Sequence, residues 1–457
     1  MSLASAIPDE TRPRADAATW VLVYVVVLYA IPSRLVIPAL GSAGAPSLAI
    51  GLVSFLAWAL YQIGKPRSDA ELFQPRPVRR ALVVFLLCVC LSYAVGMARP
   101  IDGDEVSPAD VALLAVLSWS GTLLIANDGI PSLPRLHTLA HRLAWAGGLM
   151  GLLGIAQFLT GDILINRISI PGLRAAQFEV FTRSGFIRPS GTATHPIEFG
   201  IILAMMMPFA LHSAYLEGNR RITRWLPSLL LGVSIALTFS RSAYISTVVA
   251  LLILVIGWPW KRRFWFAGGL LALCVVLFAA VPRLFGTIGS LFRNVDTDPS
   301  ISSRTESYDL AFKFFFQSPF FGRGLGTFLP KYRIFDNQYL LLLVSIGAVG
   351  ALAMILLFAS GLRSAFAVTR SAHEPDARDL ALSVGASVAA GVVSLATFDA
   401  FAFPMTMGTL FLVLGIAGAL YRLAGPVPVV PRPLFRRGRT QAAEQRKPRP
   451  VPLPVGV

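Results

Sequence analysis

The stretch WLPSLLLGVSIALTFSRSAYISTVVALLILVIGW, from Trp225 to Trp258, decides the fold class of this chain. It is almost wholly apolar and lies between two basic segments, Arg220–Arg224 and Lys261–Arg263. Basic segments beside apolar runs are typical of the cytoplasmic side of a membrane. If both ends are cytoplasmic, the run crosses the membrane twice and turns at Ser240–Arg241. Each arm then has about 16 residues, roughly 24 Å of helix, which is shorter than the hydrocarbon layer.

The short arms place the turn, and with it Arg241, below the outer interface. A guanidinium at that depth is costly unless it is paired or lines a wet cavity, so Arg241 is a candidate substrate-binding residue. The alternative is an arginine at a helix end whose side chain reaches back to the interface.

The composition of the whole chain agrees with a membrane protein. Of the 457 residues, 55% are hydrophobic and only 14% are charged, whereas a soluble protein carries nearer a quarter charged residues. The mean hydropathy of +0.66 also excludes a disordered chain. Three cysteines are too few for a disulfide scaffold or a zinc framework.

Apolar runs of spanning length predict an all-α polytopic protein with about twelve transmembrane helices. The candidate spans lie near 18–38, 46–64, 81–97, 110–127, 143–160, 196–216, 225–239, 242–259, 265–281, 337–358, 379–398 and 403–421. Residues 1–17 form a cytoplasmic lead, 18–423 the transmembrane domain, 282–335 a long outer loop between spans nine and ten, and 424–457 a disordered basic cytoplasmic tail. Most Lys and Arg residues then fall in inner segments, which predicts that both termini are cytoplasmic.

The net charge of +16 raises the alternative of a nucleic-acid-binding protein. The cations, however, punctuate apolar runs and are not interleaved with aromatic residues on one face, as a nucleic-acid groove requires. We therefore expect membrane lipid, and not nucleic acid, to be the partner of these charges.

A second candidate site lies in RSGFIRPSGTATHPIEFG, from Arg183 to Gly200, just ahead of the sixth span. Arg188 stands in a Gly/Pro/Ser-rich segment and is a candidate substrate-binding residue. Glu198, at the helix start, is interpreted as a cap of exposed amides, and His195 as a structural residue.

A third candidate site is the outer loop SSRTESYDLAFKFFFQSPFFGRGLGTF and the following KYRIFDNQYLLLLVSIGAVG. The first part predicts an amphipathic helix along the membrane surface, with Arg304 as a further substrate-binding candidate and Arg323 as a weaker one. The glycine turn follows no strand and is not a phosphate loop; we expect it to act as a flexible lid. Asp336, at the threshold of span ten, is either the catalytic base or a helix N-cap.

Two further features complete the candidates. Arg34 lies at the outer end of span one and is another possible site cation. His137 and His141 have an i,i+4 spacing that a metal site uses, but no acid follows the first histidine. They are interpreted as a solvated interfacial helix face, so no metal and no cofactor is expected.

Three motifs together carry a family resemblance: RPSGTATHP before one span, TFSRSAY between two short spans, and DNQYL after the GRGLGTF turn. Their order and spacing resemble the O-antigen ligase and polymerase superfamily, over roughly 140–420. The resemblance implies a glycosyltransferase of the GT-C type in the bacterial inner membrane. It also implies donors linked to undecaprenyl diphosphate, glycan acceptors, no metal, and a place beside other envelope-polysaccharide assembly proteins.

The resemblance also assigns roles to residues. The two outer arginines of the family match Arg188 and Arg241, and arginine forks suit the phosphate oxygens of a lipid diphosphate. The ligase branch has a histidine where this chain has Asp336, which favours a polymerase or another glycan-transfer role over a lipid A-core ligase. Two alternatives remain: a transporter or flippase for an anionic lipid-linked substrate, and a non-catalytic scaffold. The transporter is disfavoured because no predicted span has an acidic residue near its middle that could relay protons.

Overall fold

A computed structural model describes residues 16–65, 75–175, 180–183, 185–216, 222–281, 283–293 and 299–426, although not the side chains of 41–43, 175 and 299–306. All of these residues fall in one compact unit that ends at Pro426. Most of the predicted lead and of the predicted disordered tail lies outside the described residues.

The described residues form fourteen α-helices, with short 3-10 turns between some of them. They are α1 (Ala17–Ala30), α2 (Pro46–Gly64), α3 (Pro77–Ala98), α4 (Gly103–Gly129), α5 (Leu133–Thr160), α6 (Pro196–Tyr215), α7 (Leu226–Leu237), α8 (Arg241–Gly257), α9 (Trp260–Ala280), α10 (Leu284–Arg293), α11 (Pro299–Gln317), α12 (Gln338–Ser371), α13 (Pro375–Ser394) and α14 (Pro404–Ala424).

Two very short antiparallel strand pairs join the segments before α6. The pair β1 (Leu35–Val36) and β2 (Arg174–Ala175) ties the segment after α1 to the segment after α5. The pair β3 (Thr182–Arg183) and β4 (Phe186–Ile187) forms a small hairpin just before Arg188. Neither pair is predictable from the sequence, since two-residue strands give no periodic signal.

The all-α prediction is confirmed, and each predicted span coincides with a helix. By length and composition, nine described helices are able to cross a membrane, and three shorter apolar helices accompany them: α1, the segment Ile222–Leu237 and α8. The chain is thus a multi-pass membrane protein, while twelve crossings and the orientation stay predictions.

Several helix boundaries differ from the prediction for local reasons. Helix α1 ends at Ala30 because Pro32 forces the preceding Ile31 into an extended conformation. Helix α5 begins ten residues before its predicted span, at Leu133, with a proline in its first turn. Helix α12 continues to Ser371. Helical residues outside the hydrocarbon layer carry no hydropathy signal.

Small residues let the central helices approach closely. Helices α6 and α14 are the most buried, and a Cβ at Gly415 of α14 would lie 2.6 Å from the carbonyl oxygen of Leu123 in α4. Such small-residue contacts are the usual means of packing helices within a membrane. Helix α9 lies at the periphery and exposes Trp260, Phe264 and Trp265.

Helix α12 is broken at Gly347, whose φ of 68° and ψ of −176° are not helical. The glycine turn packs into this break through backbone hydrogen bonds. The amides of Arg323 and Gly324 donate to Val344 and Ser345, each at 2.9 Å, and the amide of Ala348 donates to Pro319 at 2.8 Å. The turn is thus hydrogen-bonded to α12, and its action as a lid stays a prediction.

Candidate functional site

The motif RPSGTATHP is held in place by buried side chains of neighbouring helices. The side-chain amide of Gln157, in α5, accepts from the Gly191 amide at 2.8 Å and donates to its carbonyl at 3.0 Å. Gly191 has a φ of 57°, and a Cβ there would lie 2.6 Å from the ring of Phe199. The position therefore needs glycine, both for its backbone conformation and for space.

Glu198 is a structural cap, as predicted. It is fully buried, and one carboxylate oxygen accepts from the amide of Thr194 at 2.9 Å. The other accepts from the amides of Met405 at 3.0 Å and Thr406 at 3.3 Å. It thus holds the start of α6 against the start of α14, and both oxygens are engaged.

Arg188 lies against the turn between α7 and α8. Its Nε donates to the carbonyl oxygen of Thr238 at 2.9 Å. Burial, reinforced by the nearby Arg183, lowers the pKa of Arg188 to about 10. Among the described residues, no carboxylate forms an ion pair with it. A half-buried cation beside another cation is a place where an anion is favoured.

Arg241 is the first residue of α8, directly after the turn that Arg188 contacts. Phe239 in that turn has a φ of 47° and is fully buried, a left-handed conformation that is unusual for a bulky residue. The Nη1 atom of Arg241 donates to the carbonyl oxygen of Leu291 in α10 at 3.4 Å. The side chain is thus held by protein at the same end of the bundle as Arg188.

Arg34 extends the positive cluster, and His195 lies beside it. Arg34 donates from Nη2 to the carbonyl oxygen of Thr194 at 3.4 Å. The Nδ1 atom of His195 accepts from the Ile197 amide at 3.0 Å and caps α6, so the structural interpretation of His195 is supported. Burial, together with Arg188 and Arg34, lowers the pKa of His195 to about 4. The imidazole is therefore neutral at pH 7, with its proton on Nε2.

Asp336 is not the N-cap of α12. The cap is Asn337, whose side-chain oxygen accepts from the amides of Tyr339 at 3.0 Å and Leu340 at 3.4 Å. Asp336 itself is half-buried and has a φ of 48°, a conformation that Asp tolerates better than most residues. The alternative that Asp336 serves only as the cap is wrong.

Asp399 is a second acid beside Asp336 and was not among the residues predicted from the sequence. Burial, and to a lesser extent the charge of Asp336, raises the pKa of Asp399 to about 6. Its Oδ1 atom is buried without a hydrogen-bond partner among the described residues. The available signal was a lone carboxylate in the short gap between the last two predicted spans.

Gln338 brings the two acids together. Its amide donates to the carbonyl oxygen of Leu395 at 2.8 Å, and its side-chain oxygen accepts from the Phe401 amide at 2.8 Å. The loop that carries Asp399 is thereby fixed beside the start of α12. The same loop ends at Phe403, whose ring lies 6.1 Å from that of His195, so the acids and the arginine cluster share one end of the bundle.

The two remaining arginine candidates have different outcomes. The side chain of Arg304 lies outside the described residues. Arg323 serves a structural role: its Nη2 donates to the buried Glu105 at 2.9 Å, which also binds Arg99 at 2.7 Å. Its ion pair holds the glycine turn against α4.

Residues 226–355 match the family described as O-antigen ligase. The matched segment includes TFSRSAY and DNQYL, and hence Arg241 and Asp336, whereas RPSGTATHP precedes it. No curated protein matches the chain. The family match covers two of the three motifs that carry the resemblance, and over residues 226–355 it supports a place for this chain in the O-antigen ligase and polymerase superfamily.

Proposed function

We propose that this protein transfers a glycan from undecaprenyl diphosphate to an acceptor glycan hydroxyl at the outer face of the inner membrane. The observation that carries this proposal is the half-buried Arg188, bound to a carbonyl oxygen in the turn before Arg241, at the same end of the bundle as Asp336 and Asp399. Cations for a leaving diphosphate and carboxylates for a proton are what such a transfer needs.

The arginines account for the leaving group in this proposal. As the bond between the anomeric carbon and the diphosphate oxygen breaks, negative charge accumulates on the diphosphate. Guanidinium groups that are already positioned, and partly removed from water, stabilise that charge without rearranging. Arg188 and Arg241 are assigned this role, and Arg304 is proposed as an additional contact from the outer loop.

The carboxylates account for the nucleophile. The acceptor hydroxyl oxygen attacks the anomeric carbon, and its proton passes to the carboxylate of Asp336, which acts as general base. Burial and the nearby charge of Asp336 raise the pKa of Asp399 to about 6. Such a pKa suits a group that exchanges a proton near neutral pH. We assign Asp399 as the second member of this acid pair.

An apolar groove supports a lipid-linked donor. A cavity of about 650 Å³ lies between α1 and α5 and is lined mainly by apolar side chains, including Val25, Trp145 and Leu149. Thr192 of the RPSGTATHP segment also lines it. A polyprenyl chain in this groove would place its diphosphate near that segment.

The substitution Asp336→Asn tests the proposal. The amide has the same shape but cannot accept the proton, and Asn337 already caps α12. We expect a correctly inserted protein that still binds lipid-linked donor and makes little or no polymer, while the lipid-linked repeat accumulates on the outer leaflet. Asp309→Asn, an exposed acid in α11, is the matched control.

The outcome separates the two activities. Near-normal polymer from Asp336→Asn would remove Asp336 from the reaction. Accumulation of the repeat on the inner leaflet in that variant, or in Arg188→Ala, would instead indicate the flippase.

A further inference from the structure

A polar cavity lies at the opposite end of the bundle from Arg188 and Asp336. It has a volume of about 540 Å³ and is lined by the ends of α6, α8 and α12 and the starts of α9 and α13. We call it the basal cavity and define it by Tyr215, Trp258, Arg262, Arg263, Arg378 and Asp379. In the predicted topology it faces the cytoplasm.

Arg262 is the centre of the basal cavity. Its guanidinium lies 3.9 Å from the ring centroid of Tyr215 and 4.2 Å from that of Trp258. Its Nη1 donates to Asp379 at 2.5 Å, and the second oxygen of Asp379 lies 2.6 Å from Nδ1 of His212. Both oxygens of this acid are therefore already engaged.

The histidines near this end pack against the network and do not form a solvated face, so that prediction is wrong. Nε2 of His212 lies 3.3 Å from Nδ1 of His137, and Nδ1 of His141 lies 2.5 Å from the hydroxyl of Ser213. His137 and His141 face α6 because α5, the helix that carries them, packs along α6.

Three buried polar atoms on the lining residues have no hydrogen-bond partner in the described part of the chain. They are the hydroxyl of Tyr215, Nε1 of Trp258 and Nε of Arg262. The indole and guanidinium N–H groups can only donate, and the phenol can donate. Buried donors without acceptors are costly and uncommon. Three of them around one cavity favour a ligand that supplies acceptor oxygens.

The charges at the cavity favour an anion. Arg263 donates from Nε to the carbonyl oxygen of Trp258 at 2.8 Å, and Arg378 from Nε to that of Thr369 at 3.1 Å. These bonds orient both guanidinium groups at the cavity. Asp379 is balanced by Arg262, so two oriented arginines stand against the single remaining acid, Asp376.

We propose that the basal cavity binds a phosphate group, supplied by the headgroup of an anionic phospholipid. A phosphate diester offers acceptor oxygens and a negative charge, and no donor to compete with the three buried ones. The exposed Trp260, Phe264 and Trp265 on α9 are typical of the level of the lipid headgroups. Leu216 and Ile256 give the cavity an apolar side for the acyl chains.

The test uses the purified full chain in detergent, with native mass spectrometry and thermal unfolding. Phosphatidylglycerol, phosphatidylcholine and inorganic phosphate are added separately. We expect phosphatidylglycerol to bind and to raise the melting temperature more than phosphatidylcholine does. The double variant Tyr215→Phe/Trp258→Phe keeps an aromatic ring at both positions and removes two donors, which should weaken phosphatidylglycerol binding by about tenfold or more.

Two further variants exclude general effects. Arg378→Gln should also weaken binding, whereas Arg370→Ala, an exposed arginine at the same end of α12, should leave it unchanged. If inorganic phosphate alone stabilises the wild-type protein but not the double variant, the result would support the phosphate site. The natural source of the phosphate would then be a soluble anion. Equal binding of the two lipids without an effect of phosphate, or full affinity in the double variant, would overturn the proposal.

Discussion

Replacing Asp399 by Asn is expected to make the protein more stable and less active at the same time. Asp399 is a buried acid whose pKa is raised from 3.8 to about 6 by burial and by Asp336. The carboxyl group of Asp399 therefore holds its proton more tightly in the folded protein than in the unfolded chain. Because the protonated form is favoured on folding, stability falls as the pH rises from about 4 to 6, and the loss is complete above that range.

The size of the effect follows from this difference in pKa. A difference of about two units corresponds to about 3 kcal/mol at neutral pH. Asparagine carries no charge, so Asp399→Asn removes this cost. For a chain of this length we expect the melting temperature to rise by about 3–6 °C at pH 7.5. At pH 5 the gain should fall to about half, since the folded protein already holds most of the proton there.

The assay is thermal unfolding of the purified protein at both pH values, together with polymer synthesis from lipid-linked donor. Asp309→Asn, in an exposed position, should change neither quantity. A structural acid would behave differently, since its loss lowers the melting temperature. Unchanged stability with normal synthesis in Asp399→Asn would refute both the raised pKa and the assignment to the site.

Three further predictions concern the turn, the helix break and the topology. Arg241→Lys keeps the charge but loses the planar fork, so polymer synthesis should fall by at least about tenfold in protein that inserts normally; wild-type synthesis would mean that the side chain only reaches to the interface. Gly347→Ala places a Cβ 2.3 Å from a backbone oxygen at a positive φ, and should destabilise by about 2 kcal/mol or more, whereas Gly268→Ala, in open space, should not. Reporter fusions after Thr327 should be extracytoplasmic and those after Arg370 cytoplasmic, and the reverse pair of readings would invert every site assignment.

Hydropathy was sufficient to find the helices, because an apolar run of spanning length has few other stable forms in lipid. It also located the turn at Arg241, since cations at both ends of one run require a hairpin. Hydropathy does not identify packing partners. The docking of the glycine turn on α12 depends on backbone hydrogen bonds between segments about twenty residues apart, and no side-chain pattern encodes them.

The sequence placed Arg188, Arg241 and Asp336 at the outer end of the predicted spans, where charge and position coincide, and the structure brings them to one end of the bundle; their roles stay predictions. Asp399 was missed because its role depends on Gln338, whose side chain binds the Phe401 amide and brings a distant loop beside Asp336. Arg323 looked like a site cation for the opposite reason: its partner Glu105 lies 218 positions earlier in the chain. Sequence position shows that a charge exists near the outer face, but only the tertiary contact shows whether it is already balanced.

The backbone pairing between the glycine turn and α12 restricts how the length of this chain is able to vary. Residues from Pro319 to Gly324 are hydrogen-bonded to positions 344–348. Inserting or deleting one residue within either segment therefore shifts the register and breaks several hydrogen bonds together. The connection between the two paired segments, residues 325–343, carries Asp336. Natural insertions and engineered epitope tags should therefore be rejected within either paired segment, Pro319 to Gly324 or 344–348.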